Sequence, residues 1–223
     1  MKIIINESQL RLIIENEEKK ERLLTITIDM IDNGESFDDI LELYNTDKEK
    51  KNFVGIKLLG SIDFSRGFGN KVGSGAVEFC DELVEVNGDL RVVNNYTIGL
   101  PKLRKVSGDM TLSMTEVNSL PKLRYVGGSL TLNRSKISEL PKLESVGGDL
   151  SLSHSKIESL PNLKSVDGYL NLDDTQIKSL PMLSYVESYL SLEGTPLSKT
   201  TTREELRNKI NVGGEIYLFF SKR

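Results

Sequence analysis

Few residues in this chain are of types that could do chemistry. It has one cysteine, Cys80, and one histidine, His154. A nucleophilic thiol needs a base and an orienting group beside it, and a metal needs three or four ligands, so this pair supplies neither. Cys80 stands where related positions carry leucine and reads as a buried structural thiol. His154 falls at an outward strand end. Asp173 and Asp174 are adjacent, and a strand would send them to opposite faces, so they read as a solvated turn rather than a cation site. The stretch GFGNKVGSG has the glycines of a phosphate cradle but neither the G-K-[ST] ending nor the G-x-G-x-x-G spacing. It reads as part of a glycine-rich connector. The inventory therefore predicts no catalytic residues, no cofactor, no metal and no enzyme.

Composition narrows the field further. The 223 residues carry 29 basic and 33 acidic side chains, a net charge of −4. Residues 1–80 hold 11 basic and 15 acidic, 81–200 hold 13 and 15, and 201–223 hold 5 and 3. No region is basic enough to announce nucleic-acid binding, which is disfavoured as a partner class. The segment SFDDILELYNTDKEKK is net acidic and has no clear glycine turn, against a helix-turn-helix. A single cysteine forms no internal disulfide. MKIIINESQL is too short in apolar residues for a signal-peptide core, and no run approaches the ~18 residues of a membrane span. The expectation is a cytoplasmic protein with no membrane association.

The elements that must position any surface come from a repeat. LPKLRYVGGSLTLNRSKISE, at 120–139, is followed without a gap by LPKLESVGGDLSLSHSKIES, and twelve of the twenty positions are identical. The register extends through Leu100, Leu120, Leu140, Leu160 and Leu180, with Cys80 one coil earlier, so about six coils of twenty residues span 80–199. In GGSLTL, Leu130 and Leu132 point one way and Ser129, Thr131 and Asn133 the other, which predicts one short strand per coil. Gly127 and Gly128 relax the backbone before it. Leu120, Leu123 and Val126 recur every third residue, which suits an extended return segment, with proline at 101, 121, 141, 161 and 181 stiffening its start. One coil cannot bury its leucines; stacked coils can.

LTLNRSKI, LSLSHSKI and LNLDDTQI resemble the leucine-rich-repeat core L-x-L-x-x-N-x-L, and the resemblance implies a parallel-strand solenoid. Coils opening with LP resemble the short bacterial type. The VGG variant is similar to repeat proteins of large tailed bacteriophages. The core asparagine remains only at Asn95 and is hydroxylic at Thr115, Ser135, Ser155, Thr175 and Thr195. A hydroxyl there can bond backbone in the turn. The match covers about 120 residues.

The predicted fold is an α+β repeat protein: a leucine-rich-repeat-like parallel-β solenoid over 80–199, a helical N-terminal region with the N-cap over 1–79, and a helix-plus-strand cap over 200–223. In the N-terminal region, a long helix is expected from Asn6 to about Gly34, with Glu15–Lys19 and Glu18–Arg22 pairs. A second helix follows Ser36, and Gly60–Phe64 echoes Gly88–Val92 as an irregular first strand. At the C-terminus, a threonine-capped helix carries Glu204 and Glu205 in its first turn. VGGEIYLFF then restates the strand with Ile216 and Leu218 buried.

Function, on this reading, lies in columns of variable residues. Thr111, Thr131, Ser151, Asn171 and Ser191 form a small polar column, either a solvated sheet face or a flat platform. Tyr169 and Tyr189 hold equivalent outward positions in successive coils, and the cap adds Tyr217 and Phe219. Tyrosine patches favour interfaces; the alternative is rings that merely cover the solenoid end, which is also a candidate for self-association. Lys102, Arg104, Lys105, Lys122, Arg124, Lys142 and Lys164 form a basic stripe, either solvated cations or the seat of an acidic partner. The expectation is a phage-encoded, non-enzymatic repeat protein presenting a rigid strand face to a protein partner, host or phage. The alternative is a minor virion or head-packaged protein. MKIIINESQLRLIIE is similar to head-targeting leaders of T-even-like phages, trimmed after [I/L]-x-E, and Ile13–Ile14–Glu15 matches with Glu15 as the cleavage position. The plainer reading is an amphipathic helix start.

Overall fold

The computed structural model describes residues 22–27, 37–51, 53–64, 74–92 and 99–219. Each repeat makes two short strands where the alternation of GGSLTL predicts one. Within 120–139 these are Tyr125–Val126 and Leu130–Thr131, separated by a bend at Gly127 and Gly128. Val126 and Leu130 both point inward and are fully buried, so the chain turns a corner around the core between them.

In chain order the strands are β1 (Arg22–Thr27), β2 (Phe53–Leu59), β3 (Ile62–Asp63), β4 (Leu83–Asn87) and β5 (Leu90–Arg91). The repeats supply β6 (Lys105–Val106), β7 (Met110–Thr111), β8 (Tyr125–Val126), β9 (Leu130–Thr131), β10 (Ser145–Val146) and β11 (Leu150–Ser151). They continue as β12 (Ser165–Val166), β13 (Leu170–Asn171), β14 (Tyr185–Val186) and β15 (Leu190–Ser191). The cap adds β16 (Asn211–Val212) and β17 (Ile216–Tyr217). The helices are α1 (Phe37–Lys51), α2 (Ser74–Glu82) and α3 (Arg203–Arg207).

Among the described residues, these strands form two parallel sheets, of nine and eight strands. Equivalent residues stack in register: Val146 lies between Val126 and Val166, and Leu150 between Leu130 and Leu170. The architecture is that of a parallel-β, solenoid-like repeat. Leucines 123, 143 and 163 and valines 126, 146 and 166 are completely buried in one continuous core. Each such side chain contributes roughly 1.5–3 kcal/mol by leaving water.

The corner glycines serve closeness rather than turn geometry. Neither Gly127 nor Gly147 has a positive φ. A Cβ at Gly127 would overlap the Ser107 carbonyl oxygen, and one at Gly147 would overlap that of Gly127. Successive coils touch backbone to backbone here, leaving no room for a side chain. The left-handed conformation occurs later in the coil, at Met114, Arg134, His154, Asp174 and Gly194, with φ of 54° to 73°. Four of these five carry a Cβ, an unfavourable choice worth about 1–2 kcal/mol each. Immediately after them, the buried hydroxyls of Thr115, Ser135, Thr175 and Thr195 each donate to the carbonyl three residues back, at 2.7–2.8 Å. The hydroxyl therefore closes a turn within its own coil. Ser155 Oγ, at the equivalent place, is buried with no such bond.

The N-terminal third departs from the helical expectation. Residues 22–27 are a strand paired in parallel with β2, so the predicted long helix does not run through them. The reason lies in RLLTIT: Leu24, Thr25 and Ile26 are all buried, and a strand covered on both faces shows a continuous apolar run that helical periodicity misreads. The earlier part of that helix, its two ion pairs, Ser36 and most of the glycine-rich connector lie outside the described residues. The echo of Gly88–Val92 in Gly60–Phe64 appears as pairing of Ile62 with Leu90 and Asp63 with Arg91. Cys80 sits on α2 rather than on an extended return segment. No proline follows it, so the helix runs on to Glu82 and still delivers the thiol to the core.

At the other end, Thr202 caps α3 through a reciprocal capping box with Glu205. β16 and β17 then extend both sheets, with Ile216 and Leu218 buried.

Candidate protein-interaction surface

The outward face of the eight-stranded sheet is built on a ladder of acceptors. Just before each strand, a short polar side chain accepts the backbone N–H of its equivalent in the next coil. Ser61 Oγ receives Asp89 N–H at 2.9 Å, Asp89 receives Asp109 at 2.8 Å, and Asp109 receives Ser129 at 2.7 Å. Ser129 then receives Asp149 at 3.2 Å, and Asp149 receives Tyr169 at 3.0 Å. At Tyr169 the column changes character, because the side chain becomes a ring.

Tyr169 and Tyr189 stack with centroids 4.8 Å apart and planes 6° from parallel. That separation matches the spacing of neighbouring strands, so the sheet itself sets the stack. Tyr217 meets Tyr189 edge-on, at 5.8 Å and 78°. By register Tyr217 belongs to the next column, opposite Ser191, yet its ring reaches the same patch. Phe219, two residues further along the chain, is 66% exposed. Burial and then the Asp149 charge push the Tyr169 hydroxyl above its ordinary range, against a hydrogen bond with Ser151. Tyr189 is raised by burial, then by Tyr169, Asp149, Asp173 and Tyr217.

The small polar column is not an open platform along its length. Ser151 and Ser191 are each only 5% exposed. The Ser151 hydroxyl donates to Asn133 Oδ1 at 2.7 Å, and that of Ser191 to Asp173 Oδ1 at 2.6 Å. Asp173 also accepts Glu193 N–H at 2.9 Å, so it belongs to a second ladder rather than to a free turn. Thr111, Thr131 and Asn171 are half-buried between these rows.

The basic stripe is largely answered within the chain. Lys102 donates to Glu82 at 2.5 Å, and Arg124 and Lys164 bind Glu144 from either side at 2.8 and 2.9 Å. Lys105 lies over the Tyr125 ring, 5.7 Å from its centroid, and Arg104 is half-buried and engaged. Lys122 and Lys142 are exposed. Three of the seven cations in the expected stripe, Lys102, Arg124 and Lys164, are therefore held in coil-to-coil ion pairs. Glu116–Lys136 and Glu158–Lys178 follow the same twenty-residue rule. Aligning the repeats by charge would have revealed it.

Sequence reasoning missed the junction between the N-terminal third and the coils. Glu82, at the end of α2, receives the Tyr44 hydroxyl at 2.7 Å along with Lys102, and Lys48 lies 4.0 Å away. Burial alone would raise this carboxyl, but the Lys102 and Tyr44 hydrogen bonds and the nearby lysine charges hold it below its ordinary range. Burial pushes the Cys80 thiol, on the same helix, well above its ordinary range, with Asp81 adding to it. A thiolate is thereby disfavoured. His154 Nδ1 lies 3.4 Å from Asp174, in the next coil. Among the described residues, no three His, Cys, Asp or Glu side chains are grouped to hold a metal. Among them, no helix is long and apolar enough to cross a membrane.

Fold and surface together define a class: a parallel-β, solenoid-like repeat protein with one aromatic patch on a polar sheet face. Comparison with protein-family models, with characterised proteins and with solved structures returned no match for the chain.

Proposed function

We propose that this chain is a non-enzymatic, protein-binding repeat protein of the leucine-rich-repeat-like kind, phage-encoded, that presents the outer face of its eight-stranded sheet to a protein partner in the host cell. One observation carries the reading: Tyr169, Tyr189 and Tyr217 gather into a single half-exposed patch on a rigid, in-register sheet. The fold needs no ring there, since Asp or Ser fills the equivalent place in four other coils. Rigid tyrosines at the centre of a polar rim suit a binding hot spot. The test is capture of a partner by wild-type protein and by Tyr169→Ala/Tyr189→Ala. Specific capture by the wild type with at least a tenfold loss in the double variant is expected. Equal capture by both removes the patch from the function.

A second reading is a head-packaged protein trimmed at Glu15. It is favoured by the match of Ile13–Ile14–Glu15 to the [I/L]-x-E trimming pattern. Mass spectrometry of purified virions should then find the chain starting at Asn16; an intact Met1 or no trace of the protein rules the reading out.

A further inference from the structure

The tyrosine patch has a charge as well as a shape. Residues 149–154, 169–174, 189–194 and 215–219 together carry five carboxylates, Asp149, Asp173, Asp174, Glu193 and Glu215, and no lysine or arginine. Elsewhere several carboxylates of the coils are met by cations one coil away, as in Glu82–Lys102, Glu116–Lys136 and Glu144–Lys164. On this stretch the one side chain able to carry positive charge is His154, which faces Asp174. Glu193 is pushed above its ordinary range by burial and by Asp173 and Asp174, as expected where like charges crowd without a counterion.

Nor does the fold require these charges. Asn133 holds the position of Asp173 one repeat pair earlier and accepts the equivalent serine hydroxyl and backbone N–H while neutral. Ser129 performs the ladder task of Asp149. The backbone needs an acceptor at each place; the negative charge is surplus to it. Two surplus charges therefore flank a stack of half-exposed tyrosines, and Asp149 and Asp173 both lie close enough to influence Tyr189.

Resting on the protein-binding reading above, the geometry points to a partner segment bearing arginine, its guanidinium laid against the Tyr169–Tyr189–Tyr217 rings and paired with Asp149 and Asp173. Arginine fits better than lysine because a planar guanidinium stacks on a ring while its edge donates to a carboxylate, which a compact, strongly hydrated ammonium does less well. In an extended partner segment, side chains two residues apart fall on one side, so an Arg-x-Arg spacing offers two guanidiniums to this face.

The test is fluorescence anisotropy with an otherwise uncharged, fluorescein-labelled peptide carrying Arg-x-Arg, against the same peptide with lysine or with neutral, isosteric citrulline. The arginine peptide should bind tightest, losing about tenfold on replacement by citrulline and several-fold by lysine. Binding should weaken with salt. Asp149→Asn/Asp173→Asn keeps both ladder acceptors, so its melting temperature should match wild type while arginine affinity falls about tenfold. No arginine binding up to about 1 mM, equal binding of the citrulline peptide, or unchanged affinity in the Asn variant overturns the assignment. A captured protein lost with Tyr169→Ala/Tyr189→Ala but retained by Asp149→Asn/Asp173→Asn leaves protein binding standing and removes arginine. A dimer in sedimentation that Tyr217→Ala dissolves overturns it in favour of a second copy of the chain.

Discussion

The N-terminal third and the repeating coils share both sheets, yet they are held together differently. In the coils every stabilising device recurs: the buried leucines, the acceptor ladder, the hydroxyl-closed turn and the charge pairs at twenty-residue spacing. In the N-terminal third the devices are single. Phe37 meets Phe79 at 4.9 Å and Phe64 at 5.9 Å, and Glu82 alone collects Tyr44, Lys48 and Lys102. Repetition distributes stability over many equal contributions; a junction rests on a few residues whose loss nothing else repeats.

The largest effect expected is in the shared core. Leu150→Ala, in a completely buried column, should cost about 2–5 kcal/mol, read as a drop in the denaturant midpoint. Both regions should lose structure together, because one continuous core joins them; separate transitions would break the comparison.

Glu82→Ala comes next, at about 1–3 kcal/mol, since it leaves the buried Tyr44 hydroxyl without its acceptor. The junction also carries a pH signature. The Glu82 carboxyl is lowered in the folded state, so its contribution is complete above the ordinary glutamate range and is lost as pH falls through the folded value. Melting temperature measured from neutral to acid pH should fall less steeply in Glu82→Gln than in wild type. An identical slope would show that the junction does not depend on this charge.

A ladder substitution should be milder. Asp109→Ala removes the acceptor for Ser129 N–H and should cost about 1–2 kcal/mol, whereas Asp109→Ser, copying Ser129, should restore most of it. Equal losses would mean that charge matters to the ladder itself. The smallest effect is a gain. Met114→Gly, copying Gly194, relieves a left-handed backbone at some entropic cost and should stabilise by about 0.5 kcal/mol.

The same division decided what could be read from sequence. The coils were legible because each statement is made several times: Leu130 and Leu132 are tested against Leu150 and Leu152, and the register of the capping strand follows from Ile216. The first strand of each coil was not legible. Its two residues, as in Tyr125–Val126, are too few for alternation, and Val126 also fits the three-residue spacing of its leucines. RLLTIT at 22–27 had no second copy, so burial on both faces hid its strand character. Of the candidate surface, the aromatic column could be seen by aligning Tyr169 with Tyr189. Asp149, one coil before Tyr169 in the same column, shares that visibility; Asp173 does not, because it lies in another column and nears Tyr189 only through the lateral packing of coils.

The in-register stacking of the coils bears on how such a chain can change over generations. Removal of residues 121–140 would join Leu120 to Pro141 and restore the phrase LPKLESVGG at the seam. Each coil would still receive the surface it now receives, Gly147 closing on Ser107 as Gly127 does now. The chain can therefore shorten or lengthen by whole multiples of its repeat, through recombination between its own similar segments. The tyrosine end would travel intact, so reach and recognition can be selected independently.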